Sequence, residues 1–577
     1  MIRKNLATVF VLLSVALSVT ANPPAIIASN AQSQPIISKQ GMVVAQDAIA
    51  AKVGAKILAQ GGNAIDAAVA TGFALAVTLP QAGNIGGGGF MMVYLADKDK
   101  TIAIDYRETA PETAYRDLFL NPDGKVNNSI ARFSHRSAGV PGTVAGMVLA
   151  LENYGTMSLK QVIQPAIELA DKGFIVDYPL TESLQDRSER LAQNPASAKY
   201  FFNPDGSTLK AGDKWQQKDL AKSLKLIAKH GKEGFYTGTT ADKIVAEMKA
   251  GDGLITHTDL ASYKAVEREA VTGTYNGYEI ASMPPPSSGG VHLIQMLNIL
   301  EAWDLPALGH NSAAYIHRLS ETMRRAYADR AEHLGDPDHV PVPTQRLINK
   351  DYASYLRDSI SLTKATASAD YGSTLEDFKE STQTTHYSVW DKQGNVVSNT
   401  YTLNFSYGSG ISVSGAGFLL NNEMDDFSAK PGSPNGYGLL GNEKNAIAGT
   451  KRPLSSMTPT IIFKDGKPVL VTGSPGGSTI ITTVLQTVLN HLTFDMNIAQ
   501  ATAQPKFHHQ WYPDAIGLEP GFSKDTTAIL KSMGHKLSER NRVWGKSQSI
   551  SAKDDLLFGS TDTRWTGGGA ISVESVK

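Results

Sequence analysis

The chain contains no cysteine, so no thiol can attack an amide here, and a threonine hydroxyl is inert until a base takes its proton. The run Thr384-Thr385-His386-Tyr387-Ser388, which follows Gln383, can supply nucleophile and base from one residue. If the Gln383–Thr384 bond were cut, Thr384 would carry a free α-amine beside its hydroxyl. An α-amine with a pKa of about 8 keeps a useful neutral fraction at neutral pH. As bare sequence, the Thr-Thr pair also fits β-branched sheet filler.

Five further stretches carry groups suited to chemistry, and each also has a plain structural reading. Arg107, in Asp105-Tyr106-Arg107-Glu108, ends a strand pattern and is either a solvated residue or a fork for a carboxylate. Thr402 and Asn404, in Thr400-Tyr401-Thr402-Leu403-Asn404, fit a strand with alternating polar faces. Glu423 and Asp426, in Leu419-Leu420-Asn421-Asn422-Glu423-Met424-Asp425-Asp426, fit a polar turn, and the oxygen spacing of a known calcium loop is not present. Ser455 and Ser456 follow Lys451-Arg452-Pro453-Leu454 and read as loop residues. Gly476 and Gly477, in Thr472-Gly473-Ser474-Pro475-Gly476-Gly477, open a helical run. They suit either a turn into that helix or a pair of N–H donors for an oxyanion.

Taken in order, these six stretches resemble the bacterial γ-glutamyltranspeptidases, and the resemblance extends from about residue 40 to the C-terminus. It implies an α/β (α+β layered) fold, an αββα sandwich of the N-terminal-nucleophile hydrolase type. It also implies processing at Gln383-Thr384, with Thr384 as nucleophile, Thr402 bonded to its hydroxyl, and Gly476 and Gly477 as the oxyanion site. By the same resemblance Arg107, Ser455 and Ser456 hold the substrate α-carboxylate, and Asn404, Glu423 and Asp426 its ammonium. Tyr437, in the Gly-, Pro- and Asn-rich loop 431–441, matches the lid of many bacterial members. The implied activity is that of a γ-glutamyltransferase and glutathione hydrolase acting on glutathione and other γ-glutamyl compounds. Its acceptors are water, amino acids or dipeptides, and no cofactor or metal is required. Two other readings are an acylase of glutaryl-type β-lactam side chains, whose substrate lacks the ammonium, and an inactive binding protein for γ-glutamyl peptides.

Other suggestive residues lack the required spacing. Gly545-Lys546-Ser547 ends like a phosphate loop, but Arg540 stands where its first glycine belongs. Thr472 replaces the first glycine of a nucleophile elbow around Ser474. His508 and His509 are adjacent rather than one helical turn apart. His386 shares a strand face with Thr384 two residues away, and sheet packing is its expected role.

The elements that must position these groups are legible as patterns. Gln46 to Gln60 and Ala64 to Leu79 read as helices, the second capped by Asn63. The run Gly83 to Phe90 reads as a close-packed turn rather than a phosphate cradle. Residues 91–96 and 101–107, 385–390 and 396–403, and 460–463 and 469–472 read as three hairpins. Residues 142–330 read as mainly helical, 22–40 as a loose arm, and 366–383 as an exposed linker. Antiparallel hairpins carrying helices on the outside point to a layered sandwich.

Met1-Ile2-Arg3-Lys4-Asn5, the apolar run Leu6 to Thr20 and Val19-Thr20-Ala21 form the basic, apolar and small-residue parts of a secretory signal, residues 1–21, too short to span a bilayer comfortably. Periplasmic export follows. The expected mature products are a large chain, residues 22–383, and a small chain, residues 384–577, in a heterodimer sharing one core. With 41% hydrophobic and 19% charged residues and a formal charge of −1, the chain is globular in composition. It gives no electrostatic reason to expect nucleic acid or a stable membrane association.

Overall fold

The computed structural model describes residues 33–371, 384–539 and 543–576, so the expected leader, residues 1–21, and Gln383 lie outside the described residues. Two seven-stranded antiparallel sheets form its centre. One runs, edge to edge, Ile36–Ser38, Leu556–Thr561, Gln548–Lys553, Lys467–Thr472, Thr460–Lys464, Tyr278–Ser282 and Val271–Tyr275. The other runs Gly569–Ser572, Gly41–Ala45, Thr385–Asp391, Val396–Thr402, Gly88–Leu95, Lys100–Tyr106 and Val266–Arg268. Residues from both sides of Thr384 therefore contribute strands to both sheets.

Period-two alternation decides which side chains meet between the sheets. In the second sheet Val43, Met91, Val93, Tyr387, Val389 and Val397 face outward. They pack with the helices Ala48–Ala59, Ala64–Thr78, Thr143–Tyr154 and Leu159–Lys172 in one apolar core. Met42, Val44, Phe90, Met92, Trp390 and Val396 face inward. They join Ile461, Leu470 and Ile550 of the first sheet and the helices Gly289–Leu300, Ala313–His333 and Ile480–Leu492 in a second core. The layers are thus helix, sheet, sheet, helix, the expected αββα sandwich.

Helix ends are set by local chemistry. Asn63 accepts from the N–H groups of Ile65 and Asp66, and Asp66 returns a bond to the Asn63 N–H, a capping box that starts Ala64–Thr78. Asp391, at the end of its strand, accepts from the Ala64 N–H at 2.9 Å and ties that helix to the sheet. The helix is buried on every face, as expected of one lying between a sheet and other helices.

Two expectations need correction, and the mainly helical region, borne out as such, needs an addition. Within the supposed loose arm, Ile36–Ser38 is an edge strand paired with Leu557–Gly559; residues 22–32 lie outside the described residues. The mainly helical region contains the strands Val266–Arg268, Val271–Tyr275 and Tyr278–Ser282, the last two a hairpin. In the supposed linker Ser368 is fully buried and donates to the Trp511 carbonyl at 2.7 Å, while residues 372–383 lie outside the described residues. The glycine run is close-packed as expected: a Cβ on Gly87 would lie 2.0 Å from the Thr402 carbonyl oxygen. Because that neighbour is backbone, Gly87→Ala has to move the strand carrying Thr402. We expect it to cost about 2 kcal/mol, read as a lower thermal midpoint; an unchanged midpoint would contradict this packing.

Candidate active site

The register of one hairpin builds the centre of the site. Thr385 pairs with Tyr401 and His386 with Thr400, so Thr384 and Thr402 come next in line, on the face that looks between the sheets. The Thr384 hydroxyl donates to the Thr402 Oγ1 at 3.3 Å, and Thr402 Oγ1 also accepts from the Asn404 N–H at 2.8 Å. Both threonines are buried. One step further in, His386 Nδ1 meets Thr400 Oγ1 at 2.7 Å and Nε2 meets Ser388 Oγ at 3.1 Å. Burial lowers the His386 pKa to about 3. It is a neutral sheet residue, in keeping with its expected packing role.

Around this pair a cleft of about 290 Å³, counted to its open mouth, is lined by Arg107, Thr402, Asn404, Glu423, Asp426, Tyr437, Ser455, Ser456 and Gly477 together with Thr384. Of the described residues that the resemblance places in the site, only Gly476 is outside this lining, and it is bonded directly to Gly477. They arrive from several separate elements. Arg107 leaves the strand Lys100–Tyr106, and Glu423 and Asp426 sit on the short 3₁₀ turn Glu423–Asp426. Asn404 turns the chain after its strand with φ +73°. Its side-chain amide donates to the Asn422 carbonyl at 2.9 Å, so it braces the acidic turn.

Gly476 and Gly477 precede the helix Ile480–Leu492, and among the described residues neither backbone N–H is taken by a protein acceptor. Two free donors at a helix start suit a developing oxyanion. Gly477 has φ +58°, and a Cβ there would lie 2.4 Å from the Tyr437 ring, so only glycine allows the loop 431–441 to lie this close. Tyr437 donates to the Asn404 carbonyl at 2.6 Å and packs edge-on against Phe405. Asp425 holds the loop by accepting from the Gly436 N–H at 2.8 Å while paired with Arg132 at 3.0 Å.

The electrostatics are crowded. The Arg107 guanidinium lies 2.7 Å from Glu423, 2.5 Å from Asp426 and 3.6 Å from Glu108. Burial works against the arginine charge, but Glu423, Asp426 and Glu108 outweigh it and hold its pKa above the ordinary guanidinium value. Burial pushes Glu108 up to about 8 and raises Glu423 and Asp426 against the pull of Arg107. Three buried carboxylates compete for one guanidinium, so burial and their mutual repulsion favour the neutral acids while Arg107 stays charged. The chemical result is a small pocket that offers both signs to a zwitterion.

Sequence reasoning missed Arg330, from the helix Ala313–His333, and the apolar wall of Leu439, Met457 and Ile480. Arg330 belongs to an ordinary-looking helical stretch, and no spacing links it to the other site residues. Elsewhere, His317, Glu321 and His535 lie close together; most of their polar atoms are engaged, while His535 Nδ1 is buried without a hydrogen-bond partner among the described residues. The two imidazoles are hydrogen-bonded at 2.7 Å, and Glu321 is paired with Arg324 and Arg325. His508 and His509 likewise bond to Thr482 and Gln510 and to Asp514 respectively.

The family model for gamma-glutamyltranspeptidase matches residues 50–572. The glutathione hydrolase proenzyme of Escherichia coli (strain K12) is 52% identical over 531 residues, covering 92% of this chain and 91% of that protein. Among solved structures, Helicobacter pylori gamma-glutamyltranspeptidase is 48% identical with a TM-score of 0.55, covering 56% of this chain and 93% of that chain. A cephalosporin acylase from Bacillus halodurans has a TM-score of 0.84 at 25% identity, covering 96% of this chain and 99% of that one. The acylase shows how far the layered scaffold is shared, while the family match takes in both sheets' central strands and every residue of the cleft. The chain belongs to the gamma-glutamyltranspeptidase family.

Proposed function

We propose that this chain is a γ-glutamyltransferase and glutathione hydrolase, made as a proenzyme that cuts itself between Gln383 and Thr384. The observation that carries the reading is the Thr384–Thr402 hydroxyl pair, 3.3 Å apart, at the edge of a cleft holding Arg107 beside Glu423 and Asp426. In maturation the Thr384 hydroxyl attacks the Gln383 carbonyl, the peptide bond is exchanged for an ester, and water hydrolyses the ester. A carboxylate remains on Gln383 and an α-amine on Thr384. In turnover that amine takes the hydroxyl proton as Oγ1 attacks the γ-carbonyl of glutathione or another γ-glutamyl amide. The Gly476 and Gly477 N–H groups receive the oxyanion, and the proton passes to the leaving amine. Water or the amine of an amino acid or dipeptide then takes the γ-glutamyl group from the ester.

Arg107, Ser455 and Ser456 bind the α-carboxylate, and Asn404, Glu423 and Asp426 the ammonium. Tyr437 acts as a lid. The mixed charge of the head site favours this reading over a glutaryl acylase, because a glutaryl group brings no ammonium to meet Glu423 and Asp426. We further infer export through residues 1–21 to the periplasm and a heterodimer of residues 22–383 and 384–577. No helix among the described residues is long and apolar enough to cross a membrane.

Intact mass, N-terminal sequencing and an assay with γ-glutamyl-p-nitroanilide test the reading together. The expected result is two chains, one beginning Thr-Thr-His-Tyr-Ser, that release p-nitroaniline. An uncut chain that turns the substrate over removes the mechanism. An uncut chain that only binds γ-glutamyl peptides makes it a binding protein.

A further inference from the structure

Arg330 is a buried cation in the cleft wall that makes no salt bridge among the described residues. Arg107, in the same cleft, has three carboxylates around it. Burial lowers the Arg330 pKa to about 10, so it remains a cation at neutral pH. Asp426 acts on it only through space, and a buried guanidinium that no carboxylate pairs directly is costly unless an anion arrives.

Its hydrogen bonds show what it organises. Nε donates to Ser288 Oγ at 3.0 Å, and Nη2 donates to Ser456 Oγ at 3.3 Å. An arginine has only donors, so each hydroxyl is fixed as acceptor towards Arg330 and keeps its own proton to give elsewhere. Ser288 gives its proton to the Ser455 carbonyl at 2.7 Å, and its backbone N–H bonds the same oxygen at 2.8 Å. The Ser456 hydroxyl proton has no protein acceptor among the described residues. One guanidinium thus clamps the Ser455–Ser456 turn from behind through Ser288 and leaves a donor pointing away from itself.

We propose that Arg330 is the positioning residue of the α-carboxylate subsite. It aims the Ser456 hydroxyl at the substrate carboxylate and supplies a positive charge held in no direct ion pair, unlike Arg107, which is paired with Glu423 and Asp426. The inference rests on the γ-glutamyl reading and extends it. It makes Arg330 a determinant of specificity for substrates with a charged carboxylate at that position.

The test compares γ-glutamyl-p-nitroanilide with its α-carboxamide analogue, in which the carboxylate charge is removed, on wild type, Arg330→Gln, Arg330→Lys and Ser288→Ala. Arg330→Gln is expected to lower kcat/KM for the carboxylate substrate on the order of 100-fold, chiefly through KM. It is expected to affect the amide far less, so the acid-to-amide preference falls at least about tenfold. Arg330→Lys, which keeps the charge but cannot hold both serines, gives an intermediate preference. Ser288→Ala lowers the preference by a smaller factor than Arg330→Gln. Equal losses on both substrates in Arg330→Gln overturn the proposal and leave a purely structural residue. If that variant fails to mature, an unchanged preference in Arg330→Lys and Ser288→Ala overturns it instead. A wild-type protein that does not release p-nitroaniline rejects the γ-glutamyl reading and the subsite with it. Wild-type turnover with unaltered preference in the variants rejects the role of Arg330 alone.

Discussion

The Thr384→Ala protein is expected to accumulate as one uncut chain and to release p-nitroaniline no faster than solution does. In the proposed mechanism a single oxygen serves both steps: Oγ1 opens the peptide bond during maturation and attacks the γ-carbonyl during turnover. Removing the nucleophile of a hydrolase of this kind costs on the order of a million-fold in kcat, and here the loss is compounded because the α-amine is never freed. Thr384 sits at the end of a strand whose other inward side chains are held by Thr400, Ser398 and Val396 across the hairpin, so the fold should survive the change. Gel mobility and mass score the cut, and the anilide assay scores turnover. Glutathione binding by calorimetry should persist, because the charged groups of the head site are untouched. Thr384→Ser, which keeps the hydroxyl, should mature slowly and act slowly. An uncut Thr384→Ala chain with wild-type turnover would remove Thr384 from the mechanism.

The sequence carried most of the sheet-forming hairpins because their signals are local. Thr385–Asp391 with Val396–Thr402, and Thr460–Lys464 with Lys467–Thr472, are short alternating runs around Gly-containing turns, and the helix Ile480–Leu492 fell where its apolar run predicted. The hairpin Val271–Tyr275 with Tyr278–Ser282 was missed although its turn announces it. Asn276 and Gly277 have φ of +47° and +80°, the Asn-Gly pair that a tight two-residue hairpin demands. It was masked by the long helical patterns on either side of it. Ser368 looked like linker because its neighbours are polar, and its burial depends on Trp511 and Asp514, contacts that no local pattern reveals.

The site divides in the same way. Groups inside compact motifs could be picked out one motif at a time, and the cleft gathers them. Their mutual charge balance could not be read, because Arg107, Glu423 and Arg330 approach one another only through the packing of separate elements. Glu108 sat beside Arg107 in the sequence without attracting notice. In the fold it is a third buried acid on the same guanidinium, which changes what binding must accomplish. The cleft itself contains a neutralising arrangement, and a ligand has to replace it rather than merely add to it.

That exchange makes Arg107→Ala the second large effect. With the guanidinium gone, Glu423, Asp426 and Glu108 face one another in burial, and deleting one member of a buried ion pair costs about 3–5 kcal/mol. The thermal midpoint should fall even in the absence of substrate. The binding loss has a separate origin. In the proposed binding mode a zwitterionic head brings a carboxylate to Arg107 and an ammonium to Glu423 and Asp426, so each half of the resident ion pair meets its complement. Without Arg107 the carboxylate loses its two-pronged donor and meets acids instead. We expect kcat/KM for γ-glutamyl-p-nitroanilide to fall on the order of a thousand-fold, mainly through KM. Arg107→Lys should recover more of the stability than of the affinity, since a point charge can neutralise the acids but cannot reproduce the planar fork. Steady-state kinetics and thermal melts on mature protein separate the two. A matured Arg107→Ala enzyme with a wild-type KM would show that the substrate carboxylate binds elsewhere, and the ion cluster would then be structural.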